Sequence, residues 1–558
     1  MTGSASTKLA LDHVYHWEKA RANEVYMTQP MGGGKTVTFT WSEVMRQARC
    51  MAAYLRAQNF EAGSQVAIVS KNTAQWIMAD LAIWMAGHVS VPVYPTNTRD
   101  EIRYVLEHSE AKLVFYGKLD DPPEVRAGIP ESLPGVALPL SEGSSYPTWD
   151  ELVAGNEPIT DSPTRGEDDM ATIVYTSGST GRSKGAMITF GAMQRSVDGL
   201  RRRLMTYDHD RMLSYLPLAH VFERYCVEMG SFTAGFSLFF AESLDTFVQD
   251  LNRARPTMFV SVPRLWQKFQ LGVFAKMPPK KLNTMLKIPI LNNFVRKKVL
   301  TGLGLDQVRF AATGSAPISK ELFQWYRDLG LELLEGYGMT ENFCYSHASK
   351  PGEMRVGYVG PAYDDVEVRI SEAGEILVKS PGSMTGYFKE PELTAAAFTE
   401  DGFLKTGDRG EIDKMGRLRI TGRVKELFKT SKGKYVSPAP IETRIMAHPD
   451  VEMACVCGAS QPQPCALIML GADVKTRVGG DAAARAELQA SLAAHMAAVN
   501  AELPHHEHMS FGVVVQEEWL IDNGFLTPTM KLKRSAIEDA YGQKLDGWYA
   551  AGDKLMWE

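Results

Sequence analysis

Cysteine is scarce: six residues in a chain of 558, at Cys50, Cys226, Cys344, Cys455, Cys457 and Cys465. No pair has C-x-x-C spacing and none matches a zinc finger, so neither a disulfide framework nor a zinc site is expected to hold the fold. Such usage suits a reducing, cytoplasmic setting. Long clean apolar runs are also missing. The most apolar stretch, Ile77 to Tyr94, is interrupted by Asp80 and His88, and nothing reaches the ~18 to 20 residues that a membrane span needs. Lys8, Asp12 and Glu18 come before any long apolar run, so no secretory signal is expected. A charge excess is absent as well. Lys and Arg number 60 against 66 Asp and Glu, a net charge of -6, which argues against a protein that coats nucleic acid. No fixed-period repeat and no long low-complexity tract is present.

What remains is ordinary globular composition, 44% hydrophobic and 23% charged, and a length worth three or four domains at roughly 150 residues each. The first half alternates helical and strand patterns. Thr40 to Gln58 carries Val44, Ala48, Met51, Ala52 and Leu55 at helical spacing, Gln65 to Ser70 follows as a strand, Ala74 to Met85 reads as a helix and Val89 to Tyr94 as a strand. AKLVFYG and ATIVYTSG repeat the strand pattern. This rhythm predicts α/β sheets covered by helices, with ligands at the carboxyl ends of strands. From about Glu367 short alternating strands with turns at Ala373-Gly374 and Met415-Gly416 predict a small antiparallel subdomain. A lysine-rich segment beyond Gly422 leads into a smaller mixed region, so the boundary is expected between residues 1–422 and 423–558, with a hinge near Lys425. Cys455 and Cys457 alternate in an apolar run that reads as one face of a buried strand.

One motif misleads. Gly34-Lys35-Thr36 looks like the end of a Walker loop, but the first glycine of that motif is missing, since Gln29 stands in its place. A surface loop is expected. The strong signal is Tyr175 to Gly185, YTSGSTGRSKG, between strand-like ATIV and a helix-like AMITF. Glycines bring backbone N–H groups close to an anion, hydroxyls add donors, and Lys184 adds compact positive charge. Thr176, Ser177, Gly178, Ser179, Thr180, Gly181 and Lys184 are therefore candidates for gripping a triphosphate. Later segments converge with it. TGSAPIS supplies Gly314, Ser315 and Ala316, a small-residue turn with room for a flat base. EGYGMTEN supplies Glu335, Gly336, Tyr337, Gly338 and Met339, with Tyr337 for stacking, Thr340 as a hydroxyl donor and Glu341 as a hard oxygen ligand for magnesium. Asp408 is a candidate acceptor for ribose hydroxyls, although a lone Asp after glycine is more often a turn residue, and Arg423 is a further donor.

These phrases in this order resemble the superfamily of adenylate-forming enzymes: acyl-CoA synthetases, peptide-synthetase adenylation domains and luciferases. LSYLPLAHVFER, GYGMTEN, GRVKELFKTSKGKYVSPAPIE and LTPTMKLKR look most like long-chain fatty acyl-CoA synthetases, over about Trp41 to Arg534. The resemblance implies that ATP and Mg2+ activate a fatty acid as acyl-AMP, with pyrophosphate released, and that CoA then displaces AMP. It implies Lys531 as the catalytic lysine, Thr340 and Glu341 as phosphate and magnesium contacts, Asp408 and Arg423 as ribose contacts, and His220 as a substrate-positioning residue beside the acyl carbonyl. It further implies a mobile α+β lid that pivots at Lys425, first presenting Lys531 and then the Gly433 region. Lys432 reads equally as a CoA-side contact or a solvated lysine. Trp266 reads equally as an acyl-tunnel gate or as core.

The stretch from Leu271 to Leu305 holds Lys276, Lys280, Lys281, Lys287, Arg296, Lys297 and Lys298 without one acidic residue. It reads as a site of peripheral contact with an anionic membrane or as a merely basic surface. His505, His506 and His508 read as an exposed turn rather than a zinc site. Oligomeric state stays open, a homodimer included. Three alternatives accompany the leading one: an acyl-AMP ligase loading a carrier protein, an adenylating enzyme for an aromatic acid, and a non-enzymatic acyl-adenylate or nucleotide sensor.

Overall fold

Local chemistry starts the helices where the sequence places them. The Glu43 amide donates to the Thr40 hydroxyl at 3.3 Å, and the Thr40 amide donates to the Glu43 carboxylate at 2.7 Å. This capping box opens the helix Trp41–Ala57. Val44, Ala48, Met51 and Leu55 form its buried stripe. The helix Ala74–Met85 starts at the Thr73 hydroxyl, which accepts from the Trp76 amide at 3.2 Å, and all its residues are buried. Being enclosed on every side explains why it reads as apolar all round.

The computed structural model describes residues 7–176, 182–316, 318–521, 523–527 and 530–558. Its largest sheet orders the strands Gly386–Tyr387, Lys184–Thr189, Met170–Thr176, Val89–Val93, Gln65–Val69, Leu113–Tyr116 and Gly135–Ala137. The last five run parallel, so their near-continuous apolar runs lie under helices. At one point the structure departs from expectation. AMITF does not start a helix: Lys184–Thr189 is a strand returning antiparallel along Met170–Thr176, and the helix Phe190–Leu204 opens only after Thr189. Ala186 and Ile188 are buried while Met187 and Thr189 are less so, a period of two rather than 3.6.

A second sheet orders Thr36–Thr40, Val25–Pro30, Ser237–Phe240 and Arg211–Ser214. A third orders Met258–Ser261, Phe310–Thr313, Leu333–Tyr337 and His347–Ala348. Alternation splits that third sheet between two cores. Phe259, Ala311 and Leu333 face the core made by the helices Pro263–Lys276, Pro279–Lys287, Pro289–Gly302 and Lys320–Asp328, whereas Met258, Val260, Phe310 and Leu334 face the main core. Lys35 sits in a glycine turn, with Gly32, Gly33 and Gly34 at positive φ, and is exposed, as a surface loop should be.

The antiparallel subdomain forms as expected. It orders Gly360–Pro361, Arg417–Arg423, Leu404–Ile412, Glu375–Lys379 and Glu367–Ile370, with Gly374 (φ 80°) and Gly416 (φ 74°) in the tight turns. After Arg423 come a short 3-10 turn, Val424–Glu426, and a small hairpin, Phe428–Lys429 with Tyr435–Val436. A mixed sheet of Val451–Cys457, Cys465–Leu470, Gly512–Val514 and Leu555–Trp557 follows. In Val451–Cys457, Ala454 and Val456 pack on one core, and Met453, Cys455 and Cys457 on the other. Helices cover both faces of this small C-terminal domain. His505–Glu507 is a 3-10 turn, and His508 Nε2 lies 3.0 Å from the Leu503 carbonyl. Polar contacts between the two parts include the Arg264–Glu452 ion pair and a hydrogen bond from Gln267 to the Met446 carbonyl at 3.1 Å.

Candidate active site

The site begins where strands of three sheets end together. Thr176 pairs with Lys184 at the base of the phosphate-loop hairpin; Ser177, Gly178, Ser179, Thr180 and Gly181 lie outside the described residues. The Lys184 ammonium sits 5.3 Å from the centre of the Tyr387 ring. Tyr387 in turn donates its hydroxyl hydrogen bond to Glu341 at 2.7 Å. Tyr387 thus ties the phosphate-loop lysine to the expected metal carboxylate. Sequence reasoning missed it, because 46 residues separate it from Glu341.

Thr340 and Glu341 stand on a 3-10 turn, Thr340–Asn342, directly after the strand Leu333–Tyr337. The turn is tightly wound. Phe343 (φ 47°) and Cys344 (φ 59°) are both left-handed, the Cys344 amide reaches back to the Met339 carbonyl at 3.0 Å, and the Met339 amide donates to Asn342 Oδ1 at 2.9 Å. Two consecutive non-glycine residues in that region store strain that the surrounding structure must hold. Gly338 makes the winding possible: a Cβ there would lie 2.5 Å from the Cys344 backbone.

Asp408 and Arg423 are cross-strand partners in the antiparallel subdomain. Arg423 Nε donates to Asp408 Oδ1 at 2.8 Å, and the Tyr337 hydroxyl donates to Asp408 Oδ2 at 2.7 Å. Each carboxylate oxygen keeps a further lone pair for a diol. Gly314 approaches the Gly336 carbonyl so closely that a Cβ would lie 3.1 Å from it. Ser315 (φ 69°) and Ala316 are exposed at the rim. Glu335 lies behind them with its carboxyl raised to about 7 by burial.

Lys531 comes from the C-terminal domain and joins these groups. It follows a turn in which its amide donates to the Thr527 hydroxyl at 3.1 Å and its carbonyl accepts from the Thr527 amide at 2.8 Å. Crowding by protein lowers its ammonium's pKa; the Arg423 charge lowers it further, and Asp408, Cys344 and Glu341 oppose the shift. The residue is still exposed to solvent at the cleft. The same charge acts on His220, whose ring is lowered to about 3, mainly by burial and then by Lys531. His220 Nδ1 accepts from the Phe222 amide at 3.0 Å. The imidazole is therefore neutral with its proton on Nε2, a donor rather than a base.

Beside this cluster runs a cavity that opens to the cleft. Its wall is mostly apolar, with Leu200, Leu204, Met212, Phe222, Met258 and Val260 along it, and Gly314, Ser315 and Tyr337 also line it. Trp266 does not line it. The indole is fully buried against Phe259, Phe269 and Tyr326, on the far side of the third sheet, with Nε1 donating to the Ala312 carbonyl at 3.3 Å. Of its two readings, the structure places it in core. Lys425 is exposed on the 3-10 turn between the domains, and Lys432 and Gly433 (φ 75°) form the exposed tip of the following hairpin.

One buried cluster stands just behind His220. Glu223 Oε1 accepts from the Ser214 hydroxyl at 2.8 Å and the Tyr215 amide at 3.0 Å, and burial raises its carboxyl to about 8. Arg224 opens a single π-helical turn, Arg224–Glu228, and bridges Glu228 (2.8 Å) and Asp80, all three wholly buried. Single π-turns are frequent at functional sites.

Comparison with known proteins agrees with this geometry. The family model described as AMP-binding enzyme matches residues 15–388, and that described as AMP-binding enzyme C-terminal domain matches 426–553. Long-chain-fatty-acid–CoA ligase FadD15 of Mycobacterium bovis is 30% identical over 91% of this chain and 92% of its own. The peroxisomal long chain acyl-CoA synthetase 6 of Arabidopsis thaliana is 29% identical over 96% and 85%. Among solved structures, the adenylation domain of a carboxylate reductase from Mycobacterium chelonae superposes with a TM-score of 0.81 at 21% identity, covering 98% of this chain and 92% of that one. The anthranilate CoA ligase AuaEII bound to anthranoyl-AMP gives 0.79 at 18% identity, over 97% and 99%. The chain belongs to the AMP-binding enzyme family.

Proposed function

We propose that the protein is an AMP-forming ligase that converts a long-chain fatty acid, ATP and CoA into acyl-CoA, AMP and pyrophosphate. The observation that carries this reading is the convergence of Lys531 from one domain on Asp408, Arg423, Glu341 and His220 from the other. In the first half-reaction a carboxylate oxygen of the acid attacks the α-phosphorus of ATP, and the bond to the bridging oxygen breaks to release pyrophosphate. Negative charge gathers at the α-phosphate, where fixed cations and donors contribute more than in water. Lys531 supplies the cation, spanning α-phosphate and carboxylate. Thr340 offers a hydroxyl to the phosphates, His220 Nε2 donates to the acyl oxygen, Asp408 and Arg423 hold the ribose, and Tyr337 covers the adenine.

Glu341 fits a magnesium ion: it is a hard carboxylate with one oxygen fixed by Tyr387 and with a hydroxyl residue, Thr340, beside it. When bound, the ion neutralises phosphate charge. In the second half-reaction the CoA sulfur attacks the acyl carbon and AMP leaves. We place the domain boundary at residues 422/423 and the pivot at Lys425, so that rotation removes Lys531 and brings Lys432 and Gly433 to the acyl group. The apolar cavity supports an alkyl chain, since each buried CH2 contributes roughly 0.8 kcal/mol.

Exchange of labelled pyrophosphate into ATP with palmitate, benzoate-type acids and no acid tests the substrate class. Release of AMP that depends on free CoA separates a CoA ligase from a carrier-protein ligase. Lys531→Ala should abolish adenylation yet leave CoA attack on supplied acyl-AMP largely intact. Equal loss in both half-reactions would contradict the role given to Lys531.

A further inference from the structure

The helices Pro279–Lys287 and Pro289–Gly302 bury one face each. Leu282 and Leu286 from the first, and Val295 and Val299 from the second, enter the core behind the third sheet. Their other faces are unusual. Pro289 forces a corner between them, and the five residues from Lys287 to Leu291 are all exposed, three of them aliphatic. Ile290 is 90% and Phe294 66% exposed. Ile290, Phe294, Lys297 and Lys298 fall at helical positions i, i+4, i+7 and i+8, so apolar and basic groups share one outward face. Lys276, Lys280, Lys281, Lys287, Lys297 and Lys298 are exposed around it. Residues 271–305 contain no acid to neutralise them. Arg296 points elsewhere, donating to the Asp328 carbonyl at 2.7 Å.

Apolar tips ringed by uncompensated lysines suit one kind of surface: an apolar interior beneath a negatively charged rim. We propose that the corner Lys287–Leu291 with the outer face of Pro289–Gly302 docks on an anionic lipid bilayer, with Ile288, Ile290, Leu291 and Phe294 entering the acyl boundary and the lysines resting on headgroup phosphates. The aliphatic groups supply burial, and the lysines supply attraction that falls off within a Debye length. No helix among the described residues is long and apolar enough to cross a membrane, so this contact is peripheral. It does not depend on which acid the enzyme activates.

The test is co-sedimentation of the full chain with vesicles of phosphatidylcholine, with and without phosphatidylglycerol. Ile290→Ser/Phe294→Ser and Lys287→Glu/Lys297→Glu/Lys298→Glu are compared with the unaltered protein, with thermal melting as the check on folding. Every substituted side chain is exposed, so the melting temperatures should agree. Binding is expected only with phosphatidylglycerol and should weaken with added salt. It should fall by roughly fivefold for each lysine removed and by at least about tenfold in the serine variant. Failure of the unaltered protein to sediment with anionic vesicles, or equal sedimentation of all variants, would overturn the proposal. So would capture by an acidic polypeptide in place of vesicles, which would give this face to a protein partner.

Discussion

At the scale of single residues the site depends on where protons rest. His220 is neutral across the working range, because its ring is lowered to about 3 and its Nδ1 is already an acceptor. Its proposed role is to donate from Nε2. His220→Gln should therefore keep more adenylation than His220→Ala, which should lose roughly 10- to 100-fold, the worth of one hydrogen bond to a charged group. If the residue were a general base, both variants would fall equally in a pyrophosphate-exchange assay. Glu223 makes the opposite case. Its folded carboxyl is raised to about 8 from 4.5, so the native state holds a proton that the unfolded chain releases. That contribution is full below pH 4.5 and is lost as pH rises to about 8. Glu223→Gln cannot ionise, so its stability relative to the parent should improve by about 1 kcal/mol per pH unit across that window. Thermal melts at pH 6 and pH 8 check this.

Among elements, the winding after Leu333–Tyr337 is the most exacting. Gly338→Ala puts a methyl group against the Cys344 backbone and should unwind the turn that presents Thr340 and Glu341. The expected result is a fall in adenylation of about 100-fold or more, as follows from misplacing groups by about 1 Å, with CoA attack on supplied acyl-AMP less affected. Half-reaction assays on the purified variant measure both. Elements with local chemistry were legible in the sequence. Ala74–Met85 matched to the residue because Thr73 starts it and continuous burial gives it length. The hairpins at Gly374 and Gly416 followed from turn glycines. Lys184–Thr189 was not legible, since six residues are too short a run for period alone to tell strand from helix start, and the partner strand decided it. Tyr387 was invisible for a different reason. Its value lies in reaching Glu341 and Lys184 across the sheet, a contact that no local pattern encodes. Trp266 lay between two readings until the alternation of Met258–Ser261 and Phe310–Thr313 put it on the face away from the cavity.

For the whole molecule the question is which arrangement this is. The charges of Glu341 and Asp408 act on Lys531 across the domain boundary, which fits the adenylating arrangement proposed above, and the hairpin tip at Lys432 and Gly433 is exposed. Lys425→Pro fixes φ near -65° at the pivot and should therefore slow the CoA step by about tenfold or more while sparing pyrophosphate exchange. Stopped-flow measurement of each half-reaction separates the two. Equal effects on both would move the pivot elsewhere.

The ion pair between Asp408 and Arg423 has one more consequence, because it stands two residues ahead of Lys425. On the proposed reading, a diol bonded to Asp408 Oδ1 shares that oxygen with the Arg423 bond, two residues ahead of the proposed pivot. Filling and emptying this proposed ribose seat should therefore alter the stiffness of the proposed swivel, and a spin label on each domain would register nucleotide alone, before any acid arrives, as a change in the spread of interdomain distances.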